Sequence, residues 1–314
     1  MNRPKMVVIL SEIWTMTDPR DLGRVVDYAV LAEKAGFHGV MIGEHMALGP
    51  NAAYNGVPAN PRDWIKRGNQ HPTYPHPSSN ILLGAMAART TKLRLMAAAL
   101  LTPLRHPLLV AKELATLDLL SQGRLIFMPA VSWQQEEYEA FGVPFNQRGS
   151  ILDEQLEIWD KLWTNGSPVS HDGEHFKFND TWIEPAPWRK EGPEMWMGGL
   201  QFAPWAVRRT VKSAKGFFCI LPPSDAQLAE LATAMTDAGR SMAELELAAF
   251  LFGPPFKDAT SVLDLDEALA PVPELVGRGF NTLVIKPSQY IDDGAQFGAF
   301  CRDVIRKVDR LTGN

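Results

Sequence analysis

The sequence predicts an α/β protein and, within that class, a (β/α)8 TIM barrel with inserted loop and hairpin segments. Short apolar runs typical of strands alternate with stretches of helical periodicity, and there are eight such pairs. Strands that are apolar throughout indicate a parallel sheet covered on both faces. A length of 314 residues suits eight units in one closed barrel better than an open doubly wound sheet, which is the alternative. We therefore expect a single domain over residues 1–314.

Each half of the chain supplies four strand and helix pairs. In the first half, the predicted strands are 6–10, 40–42, 93–98 and 125–128, followed by helices at 18–36, 78–88, 107–120 and 151–163. Gly36 is predicted to cap the C-terminus of the first helix. Pro107 is predicted at the first position of a helix, where a backbone N–H would have no intrahelical partner. In the second half, the pairs are 195–197 with 203–211, 217–221 with 226–238, 245–250 with 265–276, and 283–285 with 297–311.

Two insertions interrupt the alternation. Residues 49–77 are rich in Pro, Asn, Gly and Tyr and have no periodicity, which predicts a lid or a substrate-binding loop. The second insertion, 165–193, alternates polar and apolar residues around Asp172-Gly173, a strong hairpin signal. His171 and His175 would then face each other across the hairpin with no third ligand, so we expect no metal site.

Composition excludes several classes of function. The chain has 31 Lys and Arg against 36 Asp and Glu, and no basic run is interleaved with aromatic residues. Neither nucleic acid nor an anionic membrane surface is therefore an expected partner. No apolar stretch approaches the ~20 residues of a membrane span or forms a signal peptide, which predicts a cytoplasmic protein. Cys219 and Cys301 lie in apolar surroundings and are expected to be buried thiols.

The active site of such a barrel is expected at the C-terminal ends of the strands. His45 follows the second strand, and its unperturbed pKa of about 6.5 suits proton transfer near neutrality; the adjacent Glu44 adds a charge or a hydrogen bond. Gly198 and Gly199 precede a helix and would leave backbone N–H groups open to an anion, although a tight turn explains them equally well. Alanines 97–99 either admit a flat ring or pack tightly within the barrel.

Residues 102–125 (TPLRHPLLVAKELATLDLLSQGRL) form a long pattern that continues through 133–148 (WQQEEYEAFGVPFNQR). Together with Glu44-His45 and Gly198-Gly199, it resembles the bacterial luciferase-like flavin monooxygenase superfamily, in particular the branch that uses the deazaflavin coenzyme F420. The resemblance covers roughly the first two-thirds of the chain. It implies a (β/α)8 barrel with an inserted segment, a homodimer, and a flavin or deazaflavin bound at the C-terminal mouth.

The resemblance also implies roles for residues near the third strand. Glu44 would contact the deazaflavin ring or its hydroxyl, and His45 would be the proton donor or acceptor. A non-prolyl cis peptide in a bulge of the third strand backs the ring in that branch. The matching bond here would be Ala99–Leu100, with Thr102 close by.

On the other side of the mouth, Gly198 and Gly199 match a glycine pair whose backbone meets the phosphate side of the cofactor. The chain departs from the family after the fourth strand, where residues 129–133 (PAVSW) replace a G-x-G-x-G segment and narrow the ring pocket. Ser132, which lies in this segment, is expected to contact the cofactor. A second departure places Lys215-Gly216 where Asp-Gly is usual.

We consider three functions. The first is an F420-dependent oxidoreductase that transfers a hydride between the deazaflavin and a mainly apolar small organic substrate enclosed by Trp14, Trp64 and Trp133. The second is an FMN-dependent monooxygenase that uses reduced flavin and oxygen, with a separate reductase supplying the reduced cofactor. The third is a non-catalytic flavin-binding homologue, which the presence of His45 disfavours.

Overall fold

The computed structural model describes residues 3–63 and 68–314. Eight parallel strands close into a barrel in the order β1-β2-β3-β4-β7-β8-β9-β10, and β10 pairs with β1. The strands are β1 Lys5–Ile9, β2 Gly39–Ile42, β3 Arg94–Leu100, β4 Leu125–Pro129, β5 Val169–Asp172, β6 Lys177–Thr181, β7 Glu194–Gly199, β8 Gly216–Cys219, β9 Glu246–Phe250 and β10 Thr282–Ile285. The predicted (β/α)8 barrel is thus confirmed.

Helices surround the barrel. They are α1 Leu22–Ala35, α2 Ser79–Arg89, α3 Pro107–Ser121, α4 Gln135–Ala140, α5 Arg148–Asn165, α6 Pro204–Ser213, α7 Asp225–Asp237, α8 Leu265–Leu269, α9 Val272–Gly277 and α10 Phe297–Thr312. None of the helices in the described ranges is both long enough and apolar enough to cross a bilayer.

Two helical predictions differ from the structure. The single helix predicted at 265–276 is wrong: α8 and α9 are separate, and the break falls at Ala270 and Pro271. Pro271 and Pro273 lack backbone N–H donors, so the hydrogen-bond ladder cannot run through this stretch. The short helix α4 was not predicted, since six residues are too few to show a helical period.

The hairpin predicted around Asp172-Gly173 is the antiparallel pair of β5 and β6. The histidines do not face each other as expected. His171 lies opposite Phe178, and its ring is 3.0 Å from Glu154 Oε1, whereas His175 lies in the connecting turn beside Ser150. The turn is longer than a two-residue one, which moves His175 out of the strand. Among residues 3–63 and 68–314, no three His, Cys, Asp or Glu side chains are grouped to hold a metal.

Apolar side chains form two layers, one between the strands and the helices and one inside the barrel. The inner layer holds Val7, Ile9, Met41, Met96, Ala98, Ile126, Met128, Trp196, Phe218, Ala248, Phe250 and Val284. Because successive side chains on a strand point to opposite faces, Met6 and Val8 pack in the outer layer. Cys219 and Cys301 are buried free thiols, as predicted, and burial raises the pKa of Cys219 to about 12.

Charged residues close the N-terminal end of the barrel. Arg94 at the start of β3 donates to Glu194 Oε1 at 2.5 Å and to Glu246 Oε1 at 2.7 Å, and Lys5 Nζ lies 2.6 Å from Glu246 Oε2. Burial acts to raise the pKa of Glu194, but the charges of Arg94 and Arg189 and hydrogen bonds outweigh it and lower that pKa. The open end of the barrel is therefore the C-terminal one.

Candidate active site

A cavity of about 420 Å³ opens at the C-terminal ends of the strands, where the sequence predicts the active site. Of the predicted residues, Glu44, His45, Ala99, Ser132, Trp133, Gly198 and Gly199 line it. A larger groove of about 680 Å³ lies on the outer surface beside α10 and contains none of the predicted residues.

The third strand bulges at the cavity wall, where its register with β4 shifts between Ala98 and Leu100. The non-prolyl cis peptide is Ala98–Ala99, so the predicted position, Ala99–Leu100, is wrong by one residue. Ala98 and Ala99 line the cavity. Gly43 on the neighbouring chain segment makes room for the bulge, because a Cβ there would lie 3.1 Å from the carbonyl oxygen of Ala98.

Leu100 and Thr102 do not line the cavity. Past the bulge, the side chain of Leu100 packs in the outer layer, between the barrel and the helices. Thr102 is buried, and its carbonyl accepts a hydrogen bond of 2.9 Å from Gln155 Nε2. Only Ala99 of the three residues predicted at this strand therefore reaches the cavity wall.

Glu44 is buried at the edge of the cavity with both carboxylate oxygens engaged. Arg105 donates to its two oxygens at 2.7 and 3.0 Å. The Leu101 amide donates to Oε1 and the Ser79 hydroxyl to Oε2, each at 2.9 Å. This geometry ties the end of β3 to the start of α2, so Glu44 shapes the cavity wall. Its contact with a ring stays a prediction.

His45 forms a pair with Glu137, a residue that the sequence analysis missed. Its Nδ1 lies 3.2 Å from Glu137 Oε2, and Glu137 Oε1 accepts from the amides of Met46 at 2.5 Å and Ala47 at 3.3 Å. Burial acts to raise the pKa of Glu137, but the hydrogen bond and charge of His45, with those from Ser132 and Met46, lower it. The carboxylate therefore stays ionised at neutral pH and fixes the imidazole, which leaves Nε2 for proton exchange.

Aromatic side chains surround this pair. The His76 ring is 5.1 Å and the Trp133 ring 5.7 Å from the His45 ring, both edge-on, and Tyr54 lies 6.1 Å from Trp133. Burial, with a smaller contribution from His45, lowers the pKa of His76 to about 4, so its imidazole is neutral at pH 7.

The other two predicted tryptophans are not part of the observed wall. Trp14 does not line the cavity; its Nε1 donates to the carbonyl of Pro75 at 3.0 Å and so holds the long loop after β2. Trp64 lies outside the described residues. Trp133 is therefore the one predicted tryptophan that the described part of the chain places in the cavity.

Gly198 and Gly199 end β7, three strands around the barrel from β2, which His45 follows. A Cβ on Gly198 would lie 2.3 Å from Met128 Sδ, so a larger residue there would require the Met128 side chain to move. The helix α6 begins five residues after Gly199, its N-terminus has no side-chain cap, and Arg209 on it lines the cavity. The dipole of α6 favours an anionic group near its N-terminus. Pro204 has no N–H, and the Ala206 amide donates to the carbonyl of Ala203 at 2.8 Å, while Arg209 is paired with Asp153 at 2.7 Å.

Comparisons with known proteins agree with this geometry. Residues 6–260 match the sequence pattern of the luciferase-like monooxygenases. A curated relative, the FMNH2-dependent dimethylsulfone monooxygenase of Pseudomonas putida, is 33% identical over 118 residues, 37% of this chain and 32% of the relative. The matched segments span less than two fifths of the length of the first curated relatives.

Two solved structures share the fold over nearly the whole chain. DmoA from Hyphomicrobium sulfonivorans superposes with a TM-score of 0.74 at 15% identity, covering 100% of this chain and 89% of DmoA. An F420-dependent secondary alcohol dehydrogenase, in complex with an F420–acetone adduct, gives 0.72 at 15% identity, covering 98% and 99%. Because the family pattern spans most of the chain, this protein belongs to the luciferase-like monooxygenase family.

Proposed function

We propose that the protein is an F420-dependent oxidoreductase that transfers a hydride between the deazaflavin and a small, mainly apolar organic substrate. The observation that carries the proposal is the His45–Glu137 pair, held by a 3.2 Å hydrogen bond at the wall of the cavity. A histidine fixed by a buried carboxylate is suited to give or take the proton that accompanies a hydride transfer.

The residues present fit a tricyclic cofactor. The cavity volume of about 420 Å³ is within the usual range for small-molecule sites, and its wall at Ala98 and Ala99 carries small side chains that admit a flat ring. Gly198 and Gly199 carry no side chains, so the end of β7 presents backbone to the cavity that both residues line. The dipole at the N-terminus of α6, which has no side-chain cap, suits the phosphate of such a cofactor.

In this proposal the protein positions the reactants and handles the proton. Bound in the cavity, coenzyme F420 supplies hydride chemistry at its ring. His45 exchanges a proton at Nε2 while Glu137 holds its Nδ1 and fixes the orientation of the ring. Trp133 lies edge-on to His45 in the cavity and supplies an apolar wall beside the proton-transfer residue.

A second candidate is an FMN-dependent monooxygenase supplied with reduced flavin by a separate reductase. It is favoured by the 33% identity with an FMNH2-dependent monooxygenase. The same cavity and the same histidine would serve, because flavin and deazaflavin rings have the same size and differ in their reactivity toward oxygen. A non-catalytic homologue would have no need of the buried Glu137 that orients His45.

Parallel titrations with the two cofactors distinguish these candidates. F420 and FMN are added to the purified protein, binding is followed by fluorescence quenching, and oxygen consumption is measured with each reduced cofactor. We expect F420 to bind at least about tenfold more tightly, which corresponds to 1.4 kcal/mol, with no oxygen uptake. Tighter binding of FMN, with oxygen consumption, would establish the monooxygenase instead.

The homodimer and the cytoplasmic location implied by the sequence analysis stay predictions. Size-exclusion chromatography with light scattering tests the first, and a mass of twice 34.8 kDa is expected.

A further inference from the structure

The cavity contains a second polar group of residues, on the side away from Gly198. Gln70 and His76 both line the cavity, and both belong to the long loop after β2. Within the described residues, the buried atoms Gln70 Oε1 and His76 Nε2 have no hydrogen-bond partner. Buried polar atoms are rarely left unpaired, because each one costs about 1–3 kcal/mol, and such atoms in a binding cavity indicate a ligand that pairs with them.

The orientation of the Gln70 amide is fixed by its neighbour. Gln70 Nε2 lies 3.2 Å from Glu12 Oε1, and a carboxylate can only accept, so the NH2 group faces Glu12 and the carbonyl oxygen is the free atom. Gln70 therefore offers the cavity an acceptor. His76 is neutral at pH 7, since burial lowers its pKa to about 4, and its Nε2 can donate when the proton is on that nitrogen.

Charges near the pair balance each other. Lys286 Nζ lies 3.6 Å from Glu12 Oε2, and Lys286 is fully buried beneath it. An anionic ligand at Gln70 would meet an acceptor oxygen and the Glu12 carboxylate, both of which repel it. A hydroxyl group fits, because its single oxygen can donate to Gln70 Oε1 and accept from His76 Nε2.

The position in the barrel assigns this pair to the substrate and not to the cofactor. Glu12, which holds Gln70, follows β1, and Lys286 follows β10. In the closed barrel, β1 and β10 lie across from β7 and β4, which carry Gly198 and the segment with Ser132. His76 is nonetheless only 5.1 Å from the His45 ring, so a group bound to it lies beside the proton-transfer residue.

We propose that Gln70 and His76 form a recognition site for the hydroxyl group of an uncharged, otherwise apolar substrate and set that hydroxyl beside His45. This assignment rests on the proposed function for its role in turnover, but the binding preference itself does not depend on the cofactor. Gln70 and His76 are specificity-determining residues in this account, and His45 remains the residue that exchanges the proton.

Isothermal titration calorimetry with the full chain tests the proposal, using benzyl alcohol, toluene and benzoate as probes, first without and then with F420. We expect benzyl alcohol to bind about tenfold more tightly than toluene, and benzoate more weakly than benzyl alcohol, because a site built for a hydroxyl rejects analogues that leave its polar atoms unpaired. In Gln70→Leu and His76→Phe, the preference for the alcohol should fall below about threefold. His71→Phe, at an exposed histidine of the same loop, is the matched control and should keep it.

Several outcomes overturn the proposal. These are equal binding of benzyl alcohol and toluene, no detectable binding of benzyl alcohol, tighter binding of benzoate, or a preference that survives in both variants. Weaker F420 binding in both variants with an unchanged alcohol preference would assign the pair to the cofactor. If F420 does not bind the wild type but the alcohol preference is present and lost in the variants, the proposed function fails and the recognition site stands.

Discussion

His45 owes its orientation to Glu137, a carboxylate 92 residues away in the chain. Its imidazole is fixed at Nδ1, and the carboxylate is fixed in turn by the amides of Met46 and Ala47, so the pair is rigid on both sides. Such a chain of hydrogen bonds orients a proton-transfer group more strongly than either contact would alone.

The first prediction concerns His45→Ala. The variant should bind F420 as the wild type does. The rate of hydride transfer between F420 and a substrate should fall by about 10²–10⁴-fold, because the proton-transfer residue is lost. Stopped-flow measurement of deazaflavin absorbance with the complex already formed reports this step directly. His71→Ala, at an exposed histidine in the long loop, serves as the control. Full turnover by His45→Ala would show that His45 is not the proton-transfer residue.

The second prediction concerns Glu137→Gln, which keeps the shape of the side chain and removes its charge. We expect hydride transfer to slow by about tenfold or more, equivalent to about 1.4 kcal/mol. Glu137→Asp, which keeps the charge and shortens the side chain, should recover part of the lost rate. This rescue distinguishes a positioning role from a structural one, since a merely destabilised protein would not regain activity with the charge.

Some residues of this site could be predicted from the sequence, and others could not. His45 was found because a titratable residue at the end of a barrel strand is visible in the local pattern. Glu137 was missed because it lies on α4, a helix of six residues, and its partner is distant in the chain. Glu44 was predicted to contact the ring, but a local pattern could not show that Arg105, 61 residues later, engages both of its oxygens.

At the level of elements, the long loop after β2 is held across the mouth by side chains of its own. Asn60 Nδ2 donates to the carbonyls of Asp258 at 2.9 Å and Ser261 at 2.8 Å, in the loop after β9. Arg62 forms an ion pair with Asp292, beyond β10. These contacts fix the loop that carries Gln70 and His76, so the cavity is assembled only when the loop is anchored.

The third prediction follows from this anchor. Asn60→Ala removes the two hydrogen bonds that the buried amide donates and the two that its oxygen accepts from Arg62, at about 0.5–1.5 kcal/mol each. We expect KM to rise several-fold with a smaller effect on kcat, and limited proteolysis to cleave the loop faster. Asn179→Ala, on an exposed part of β6, should change neither quantity. An unchanged KM together with wild-type proteolysis would contradict the anchoring role.

Element boundaries illustrate what a single sequence can and cannot show. The eight barrel strands were predicted because fully apolar runs are short and separated by helical periods. The bulge in β3 was expected from the resemblance, but its cis bond is displaced by one residue, because a run of three alanines gives no local mark of register. The interruption between α8 and α9 was missed because their apolar spacing is continuous across Pro271.

At the scale of the whole molecule, an ion network joins β1, β3, β7 and β9 at the N-terminal end of the barrel. The fourth prediction is that Arg94→Met destabilises the protein by about 1–3 kcal/mol, because the partly buried Glu194 and Glu246 lose their shared partner and keep Arg189 and Lys5 as ion-pair partners. Urea unfolding followed by circular dichroism measures the change. Lys177→Met breaks the exposed pair with Asp172 and should leave the midpoint in place. Equal midpoints for both variants would contradict the account.

The fifth prediction concerns pH. Burial lowers the pKa of His76 to about 4; the charges of His45 and Lys286 act in the same direction, and those of Glu12 and Glu137 oppose it. An unfolded histidine titrates near its ordinary value of 6.5. The unfolded chain therefore binds more protons between these values, and stability falls as the pH is lowered from about 6.5 to about 4.

The loss of stability between pH 7 and pH 5, measured as the shift in urea midpoint, should accordingly be smaller in His76→Phe than in the wild type. His71→Phe should retain the wild-type loss, since that histidine is exposed. The same slope in all three proteins would show that His76 does not titrate as the structure indicates. Glu137 and Glu194, whose pKa values are lowered, add a further loss only at more acidic pH, as they become protonated.

A crystal structure of the protein with F420 bound tests the central claim most directly. The account predicts that the deazaflavin ring lies over Ala98 and Ala99 with its reactive edge beside His45, and that its phosphate lies near Gly199 and the start of α6. A ring bound elsewhere, or a mouth in which His45 turns away from it while still bonded to Glu137, would contradict the proposed function.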